Sequence, residues 1–585
     1  MAKLYNDLRL ILLCSLATLH AFLTSYFIAT SKIWRLQYET TDGFTEWIIS
    51  LSPIAGGLFA LVLSKFRNLI HRPFFIVLII LYALSGMSLI IPELNGSNKV
   101  SNLTTLELCN NNEFTNTKQD ENYNFVVLVI YQLINGIAFV SVATFGIVDL
   151  DYKTYLTPVY VCLLIGTTQI GRFIGLNMLS ASIFINKSIF ISWAWLSPVA
   201  GIFFICGLLT ISSTKCTSGN ETNNYEQLKV FSFFGGIRSL FTSKLLLLNI
   251  LSATFMHIGI VNFNTISKDL FDSRFLNSGT FDFNYNYNNR FNLWILFGIF
   301  IIVVVMSQIY VCKLPTTKFL VIWLITAYSI ILTIIISYAF LQCNTETTLS
   351  ENESVIKECN QNCSCKTEFD PVCLGGNTYY SACFAGCTNK NSSGFFNCQC
   401  GTSTDLAFPG YCYKEACKTI ANTAQFNLMI IFSLIVSTFI VHILIVLRTV
   451  NNYQLRATGV SFLFMGVLLF PYLPFKFIYD FIKWSLCAKW FDNQCFTYTE
   501  YFSFGIIATT VMFIILSLIP TICMMRWLKQ NEDISKAANT HESFELNLDH
   551  VYLPSTRQEE TENIYQVVSG APRKSLHKYD YYDRS

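Results

Sequence analysis

The stretch 425–449, QFNLMIIFSLIVSTFIVHILIVLRT, is apolar for more than twenty residues and meets its first charge only at Arg448. A bilayer core about 30 Å thick needs about 20 such residues per helix, because no backbone polar group can be left unpaired in lipid. The run is therefore read as a membrane span. The composition says the same of the whole chain. Of 585 residues, 52% are hydrophobic and 13% charged, against roughly a quarter charged in soluble domains. Mean hydropathy is +0.45. With 39 Lys+Arg against 37 Asp+Glu the formal net charge is +2, too small to hold a nucleic-acid backbone. Nucleic acid is excluded as a partner, and the lipid bilayer is expected in its place.

Working outward from 425–449, eleven further runs qualify: 8–30, 44–64, 73–92, 124–148, 157–182, 189–211, 244–267, 291–312, 318–341, 458–482 and 500–528. Lys3 and Arg9 before the first run resemble the start of a signal peptide, but the run is long and lacks a small-residue cleavage site. It is read as a retained span. The expected fold class is an all-α polytopic membrane protein with twelve helices in two six-helix halves, a two-halved transporter layout. The expected organisation is an N-terminal half at 1–211, a cytoplasmic linker at 212–243 and the first three helices of the second half at 244–341. A polar loop at 342–424, the last three helices at 425–528 and a disordered tail at 529–585 complete it. The tail is polar, lacks an apolar period, and is a candidate for a cytoplasmic partner.

Lys and Arg are shared too evenly between the loops to orient the chain. Cysteine orients it. Eleven of the 20 cysteines crowd into the loop 342–424: Cys343, Cys359, Cys363, Cys365, Cys373, Cys383, Cys387, Cys398, Cys400, Cys412 and Cys417. Such density points to disulfides in an oxidising compartment. That choice places both termini in the cytoplasm and also puts Cys109, Cys487 and Cys495 outside. The glycosylation sequons at Asn95, Asn102, Asn186, Asn352 and Asn391 fall on the same side, and only the one at Asn220 lies inside. Zinc is the competing reading for Cys363-Ser-Cys365 and Cys398-Gln-Cys400. It is disfavoured by the absence of His in the loop, and no metal or other cofactor is expected.

The segment Cys365-Lys-Thr-Glu-Phe-Asp-Pro-Val-Cys373, followed by Gly375-Gly376-Asn377-Thr378-Tyr379 and Cys383-Phe-Ala-Gly-Cys387, resembles a Kazal-type disulfide module. Between Cys373 and Tyr379 it is one residue shorter than the usual pattern. A staple for a long external loop is favoured over a protease inhibitor. A Kazal-like loop after the ninth of twelve spans is similar to the organic anion transporting polypeptide family, a branch of the major facilitator fold. Further matches are His71-Arg72-Pro73, Asp149, Asp151, and Cys487-Ala-Lys-Trp490 followed by Cys495. The resemblance implies pairing of Cys363 with Cys387, of Cys365 with Cys383, and of Cys373 with Cys398 or Cys400. It departs in four places. Lys187 to Leu196 keeps Trp195 but lacks the family's Asp and Arg before span six, and Glu93 stands where a His commonly follows the Pro. Asn135 precedes Gly136 where an Arg is frequent, and Gly466 stands where span eleven often has an Arg.

Charges inside spans are costly, about 2.5 to 3.5 kcal/mol on insertion scales, and usually face a cavity. Arg172, in Gln169-Ile-Gly-Arg172-Phe-Ile-Gly175, suits a carboxylate or sulfate bidentately, or else an acidic side chain on a neighbouring helix. Lys476 and Asp480 stand four residues apart, after Pro471 and Pro474, and suit an i,i+4 pair. His257, His442 and His20 are candidates for proton-linked steps, or for plain packing. Gln132, Asn135, Gln169 and Asn177 suit either a cavity lining or interhelical hydrogen bonds. The candidate cavity set is thus Arg172, Gln169, Asn135, Gln132, His257 and Lys476. No Walker loop, dinucleotide glycine pattern or His-Glu-x-x-His is present, so no enzymatic activity is expected.

The resemblance implies sodium-independent, plasma-membrane transport of large amphipathic organic anions, such as steroid conjugates and bile salts, by alternating access. Two alternatives stand beside it: a carrier of neutral or cationic amphipaths, and a non-transporting membrane protein whose external loop binds a partner.

Overall fold

The computed structural model describes residues 2–29, 42–66, 72–88, 122–151, 157–185, 241–275, 316–341, 415–450, 453–491 and 494–548. It also describes most of 358–412, Leu108, Cys109 and a few single residues. The chain divides into two compact units, Met1–Trp527 and Leu528–Ser585. In the first half the helices are α1 (Ala2–Ala29), α2 (Asp42–Phe66), α3 (Arg72–Ser88), α4 (Asn122–Asp151) and α5 (Thr157–Ile185). In the second they are α6 (Lys244–Phe275), α7 (Thr317–Phe340), α8 (Glu415–Thr449), α9 (Tyr453–Leu469), α10 (Lys476–Ser485) and α11 (Tyr501–Leu548). Among the described residues, α1, α4, α6, α7, α8 and α11 each hold a run long and apolar enough to cross a membrane. The spans expected at 189–211 and 291–312 lie outside the described residues, as do Asn95, Asn102, Asn186 and Asn352 and the side chain of Asn391.

Three boundaries differ from the sequence expectation. The single run 458–482 is two helices, α9 and α10, because Pro471 and Pro474 remove donors from the intervening turn. α8 begins at Glu415 rather than 425. α11 continues to Leu548, past the expected start of a disordered tail at 529. No Gly or Pro interrupts 521–548, and Lys, Gln, Glu and Ala there favour helix.

Close backbone approach holds the first half together. A Cβ on Gly136 of α4 would fall on the Ser52 carbonyl of α2, and one on Gly171 of α5 would fall on the Thr18 carbonyl of α1. Only glycine fits such crossings, the small-residue packing that membrane helices use in place of a hydrophobic drive. Around them Leu16, Leu23, Tyr26, Phe27, Ile48, Tyr82, Leu128 and Tyr131 form one buried cluster.

The cysteine-rich loop folds into a small module. β1 (Val372–Leu374) and β2 (Asn377–Tyr379) pair antiparallel, β5 (Phe408–Pro409) adds to β1, and β3 (Cys387–Asn391) pairs with β4 (Gly394–Cys398). The shortened bend is a two-residue turn, Gly375 and Gly376, both at positive φ, the geometry that a tight hairpin demands. Val372, Leu374, Ala385 and Phe395 make a core too small to stand alone, and disulfides supplement it. Cys365 pairs with Cys383, as the resemblance implies. The other two implied pairings are corrected: Cys363 bonds Cys109, Cys387 bonds Cys398, and Cys373 bonds Cys412, while Cys400 takes Cys359. The reason lies in Leu108 and Cys109, which join the module. Cys109 N donates to Cys387 O at 2.8 Å, so the loop after α3 delivers a partner to Cys363. The two halves are thereby covalently joined on this disulfide face. Cys487 and Cys495 staple a second hairpin, β6 (Cys487–Phe491) with β7 (Gln494–Tyr498). Cys343 and the Cys417 side chain lie outside the described residues.

Candidate solute cavity and the seam between the halves

The helix α5 defines an inside and an outside. Val159, Leu163, Ile170 and Ile174 are exposed apolar side chains that fall on one stripe at about 100° per residue. Gly171 and Gly175 are buried against α1. Arg172 lies about 140° to 200° from every member of the apolar stripe, on the face turned toward the bundle, and is nevertheless exposed. An exposed guanidinium on the inward face of a membrane helix lines an internal space. Among the described residues no hydrogen bond or ion pair holds it, so the acidic partner considered from the sequence is not found. Gln169, about 60° round the same helix, shares the inward side, with its Nε2 donating to Thr168 Oγ1 at 3.3 Å. His20 of α1 and Tyr472, in the turn between α9 and α10, both lie within electrostatic range of Arg172. Tyr472 comes from the second half, so Arg172 feels groups of both halves.

A row of rings crosses the same seam. His20 stacks on Phe139 of α4 at 5.3 Å, Phe139 meets Phe464 of α9 edge-on at 5.9 Å, and Phe464 meets Phe439 of α8 at 5.7 Å. Phe439 then meets His257 of α6 at 5.7 Å. The first helix of each half thus ends the row with an imidazole. Each donates one ring N–H to a backbone carbonyl, His20 Nε2 to Asn135 O at 3.3 Å and His257 Nδ1 to Ala253 O at 2.8 Å. The other nitrogen of each ring is left as an acceptor.

The remaining polar candidates are tied up between helices. Asn135 Nδ2 donates to Ser52 Oγ at 3.1 Å and to Thr24 Oγ1 at 3.3 Å, and approaches Gln132 Oε1 at 3.5 Å, joining α1, α2 and α4. Both Asn135 and Gln132 are buried. Asn135 is thus hydrogen-bonded across three helices at the position where the family resemblance implies an Arg. Gly466, at the other such position, is a close helix contact, since a Cβ there would fall on Thr254 Oγ1 of α6. His442 is fully used. Its Nδ1 donates to Asn249 Oδ1 at 2.8 Å, its Nε2 accepts from Tyr328 Oη at 2.6 Å, and Asn249 Nδ2 returns a bond to His442 O at 3.1 Å. The network runs on through Ser252 to Thr521 and ties α6, α7, α8 and α11.

Lys476 opens α10, the helix that leads into the Cys487–Cys495 hairpin, and its Nζ lies 3.0 Å from Glu46 Oε2 of α2 and 3.1 Å from Asp480 Oδ1. Beyond the eleventh span, Lys483 Nζ lies 2.5 Å from Asp269 Oδ2 of α6. Burial pushes the Lys483 pKa down, but Asp269, with Tyr498 and Glu46, pulls it further up, so the net shift is upward. Sequence reasoning found Arg172, Lys476 and Asp480 as charges within apolar runs. It missed Glu46, Tyr472, Phe139, Phe439 and Phe464, whose local sequence carries no mark of what they meet.

These features define a multi-pass helical membrane fold. Its likeness to solved structures is to the major facilitator superfamily proton:xylose symporter bound to 6-bromo-6-deoxy-D-glucose, with TM-score 0.51, 11% identity and coverage of 90% of this chain and 96% of that one. A bacterial homologue of the iron transporter ferroportin in an outward-facing state gives TM-score 0.50 at 9% identity, covering 88% and 99%. At such identities the likeness shows the fold alone. Residues 8–195 and 209–500 match the family model for the Organic Anion Transporter Polypeptide (OATP) family, and the chain belongs to that family. Among relatives, solute carrier organic anion transporter family member 4C1 of Homo sapiens is 30% identical over 187 residues, 28% of this chain and 26% of that protein. Member 1A5 of Rattus norvegicus is 30% identical over 152 residues, 24% and 22%. The matched stretches span about a quarter of the length of these relatives.

Proposed function

We propose that the protein carries amphipathic organic anions with a single negative group across the plasma membrane by alternating access, with both termini in the cytoplasm and the disulfide face outside. The observation that carries this reading is Arg172, an inward and exposed guanidinium with no hydrogen-bond or ion-pair partner among the described residues. A fork of five donors suits a sulfate or carboxylate, and Gln169, His20 and Tyr472 stand round the same space. The ring row from His20 to His257 offers flat apolar surface to the body of the solute. The single-charge preference follows from Asn135 and Gly466, which spend on helix packing the two positions where a further Arg is implied by the family. A steroid monosulfate or a bile salt has the required form. Family membership supports the transport class, and the names of the relatives support organic anions.

Uptake by cells displaying the full chain, compared with cells lacking it, tests the reading. Saturable uptake of a steroid monosulfate, with weaker uptake of the corresponding disulfate and of the neutral steroid, is the expected pattern. Preferred uptake of the neutral steroid contradicts it and favours the neutral-amphipath alternative.

A further inference from the structure

The helix α10 is amphipathic in the reverse sense to a helix in water. Phe477, Ile478, Phe481 and Trp484 are exposed, whereas Lys476 and Tyr479 are buried. An exposed aromatic face with an inward ionic one places apolar rings against lipid and turns the charges into the seam. There the Lys476 side chain is 4% exposed and is shared between two carboxylates. Glu46 belongs to α2 of the first half, and Asp480 stands one turn along on α10 itself. The neighbours reinforce the crossing. Trp47 packs on Phe477 at 5.5 Å and lies under Lys476 Nζ at 6.0 Å from the ring centroid. Deeper along α2, a Cβ on Gly57 would lie 2.7 Å from Leu469 Cβ of α9, so α2 and α9 touch at the backbone.

The two carboxylates are not equivalent. Any parting of the halves on the disulfide face must separate Lys476 from Glu46, because they ride on different halves. It cannot separate Lys476 from Asp480, because they ride on one helix. A buried ammonium stripped of every partner is strongly destabilising. An ammonium that keeps one partner is not. Both carboxylate side chains are 36% exposed and reach solvent, so it is the half each rides on that makes Glu46 the one released into water when the halves part.

We infer that Lys476 is a positioning residue for transport: it latches Glu46 across the seam while the disulfide face is closed and retains Asp480 when that face opens. The inference rests on the carrier reading and reassigns Lys476 from solute contact to movement of the halves. It requires the two carboxylates to act with opposite sign. Removing the charge of Glu46 loosens the closed state and leaves Lys476 neutralised. Removing the charge of Asp480 leaves Lys476 dependent on Glu46 alone and penalises opening.

The test places a reporter cysteine at mid-depth, Gln169→Cys, in the full chain on intact cells, and follows labelling by a membrane-impermeant maleimide. The rate is corrected for surface protein and for labelling of the chain without the added cysteine. Glu46→Gln is expected to raise the rate several-fold, Asp480→Asn to lower it several-fold, and Asp480→Glu to leave it near that of the parent. A common direction for Glu46→Gln and Asp480→Asn, or no change in either, overturns the inference. Should Asp480→Asn fail to reach the surface, Lys476→Met carries the test, since loss of the shared cation must raise labelling as Glu46→Gln does, and unchanged labelling overturns it. Labelling needs no solute, so a failure of anion uptake in the panel above and a failure of the latch are read independently.

Discussion

Arg172 and Lys476 are both cations within the bundle, yet they are treated in opposite ways. Arg172 stands exposed on the inward face of α5 with no acidic partner among the described residues, while Lys476 is buried between two carboxylates at 3.0 and 3.1 Å. A fixed charge that the protein neutralises itself has a structural or mechanical use. One left open within a membrane protein is available to a ligand of the opposite sign. The difference supports the proposed division, with solute recognition around α5 and the relative movement of the halves around α10.

That division is most directly broken at Arg172. A charge-assisted hydrogen bond contributes about 1.5 to 3 kcal/mol, so Arg172→Ala is expected to raise the apparent KM for a steroid monosulfate by about ten- to a hundred-fold. Arg172→Lys keeps the charge but loses the fork and should fall between. Lys476→Met sharpens the comparison from the other side. It should change the maximal rate several-fold and leave the apparent KM within about twofold, because no contact with the solute is lost. A large rise in KM at Lys476 would return that residue to the cavity.

A smaller effect is expected at His442, whose bonds to Asn249 and Tyr328 belong to neither region. His442→Ala leaves buried partners unsatisfied at about 1 to 3 kcal/mol, and should lower the unfolding temperature of the purified protein without altering KM for folded molecules. The smallest concerns Lys483 and Asp269. Because the folded pKa of Lys483 is raised, its contribution is fully present below the unfolded lysine value of about 10.4 and is lost only as pH rises through the higher folded value. The pair is partly exposed and is worth at most about 1 kcal/mol. Lys483→Met should therefore lower stability by the same small amount at about pH 6 and about pH 9, and an effect that differs between them contradicts the assignment.

Much of this architecture is legible without coordinates, for physical reasons that also set the limit. A long apolar run announces a span because lipid allows few alternatives, and a charge such as Arg172 within one stands out for the same reason. Pro471 and Pro474 mark the break between α9 and α10 because proline lacks a donor. Cysteine density marks the oxidised module, but pairing depends on which distant segment is delivered. Cys109 reaches Cys363 only because it and Leu108 pack on the module. Glu46 shows why the seam was missed. It stands in the first turns of α2, where a polar residue is unremarked, and its partner lies 430 positions away. Phe464 is likewise one phenylalanine among 51, and only packing gives it two partners in different halves. Asn135 read equally well as a cavity group or a packing group, and the neighbours that place it in packing come from two other helices.

The central claim is that Arg172 receives the negative group of the solute. The most direct measurement is the concentration dependence of uptake of a steroid monosulfate and of its uncharged parent steroid by the wild-type chain, Arg172→Lys and Arg172→Ala, each corrected for surface protein. The account predicts that the monosulfate loses affinity in the order wild type, Arg172→Lys, Arg172→Ala, while handling of the neutral steroid is unchanged. Equal monosulfate affinity in all three would contradict it.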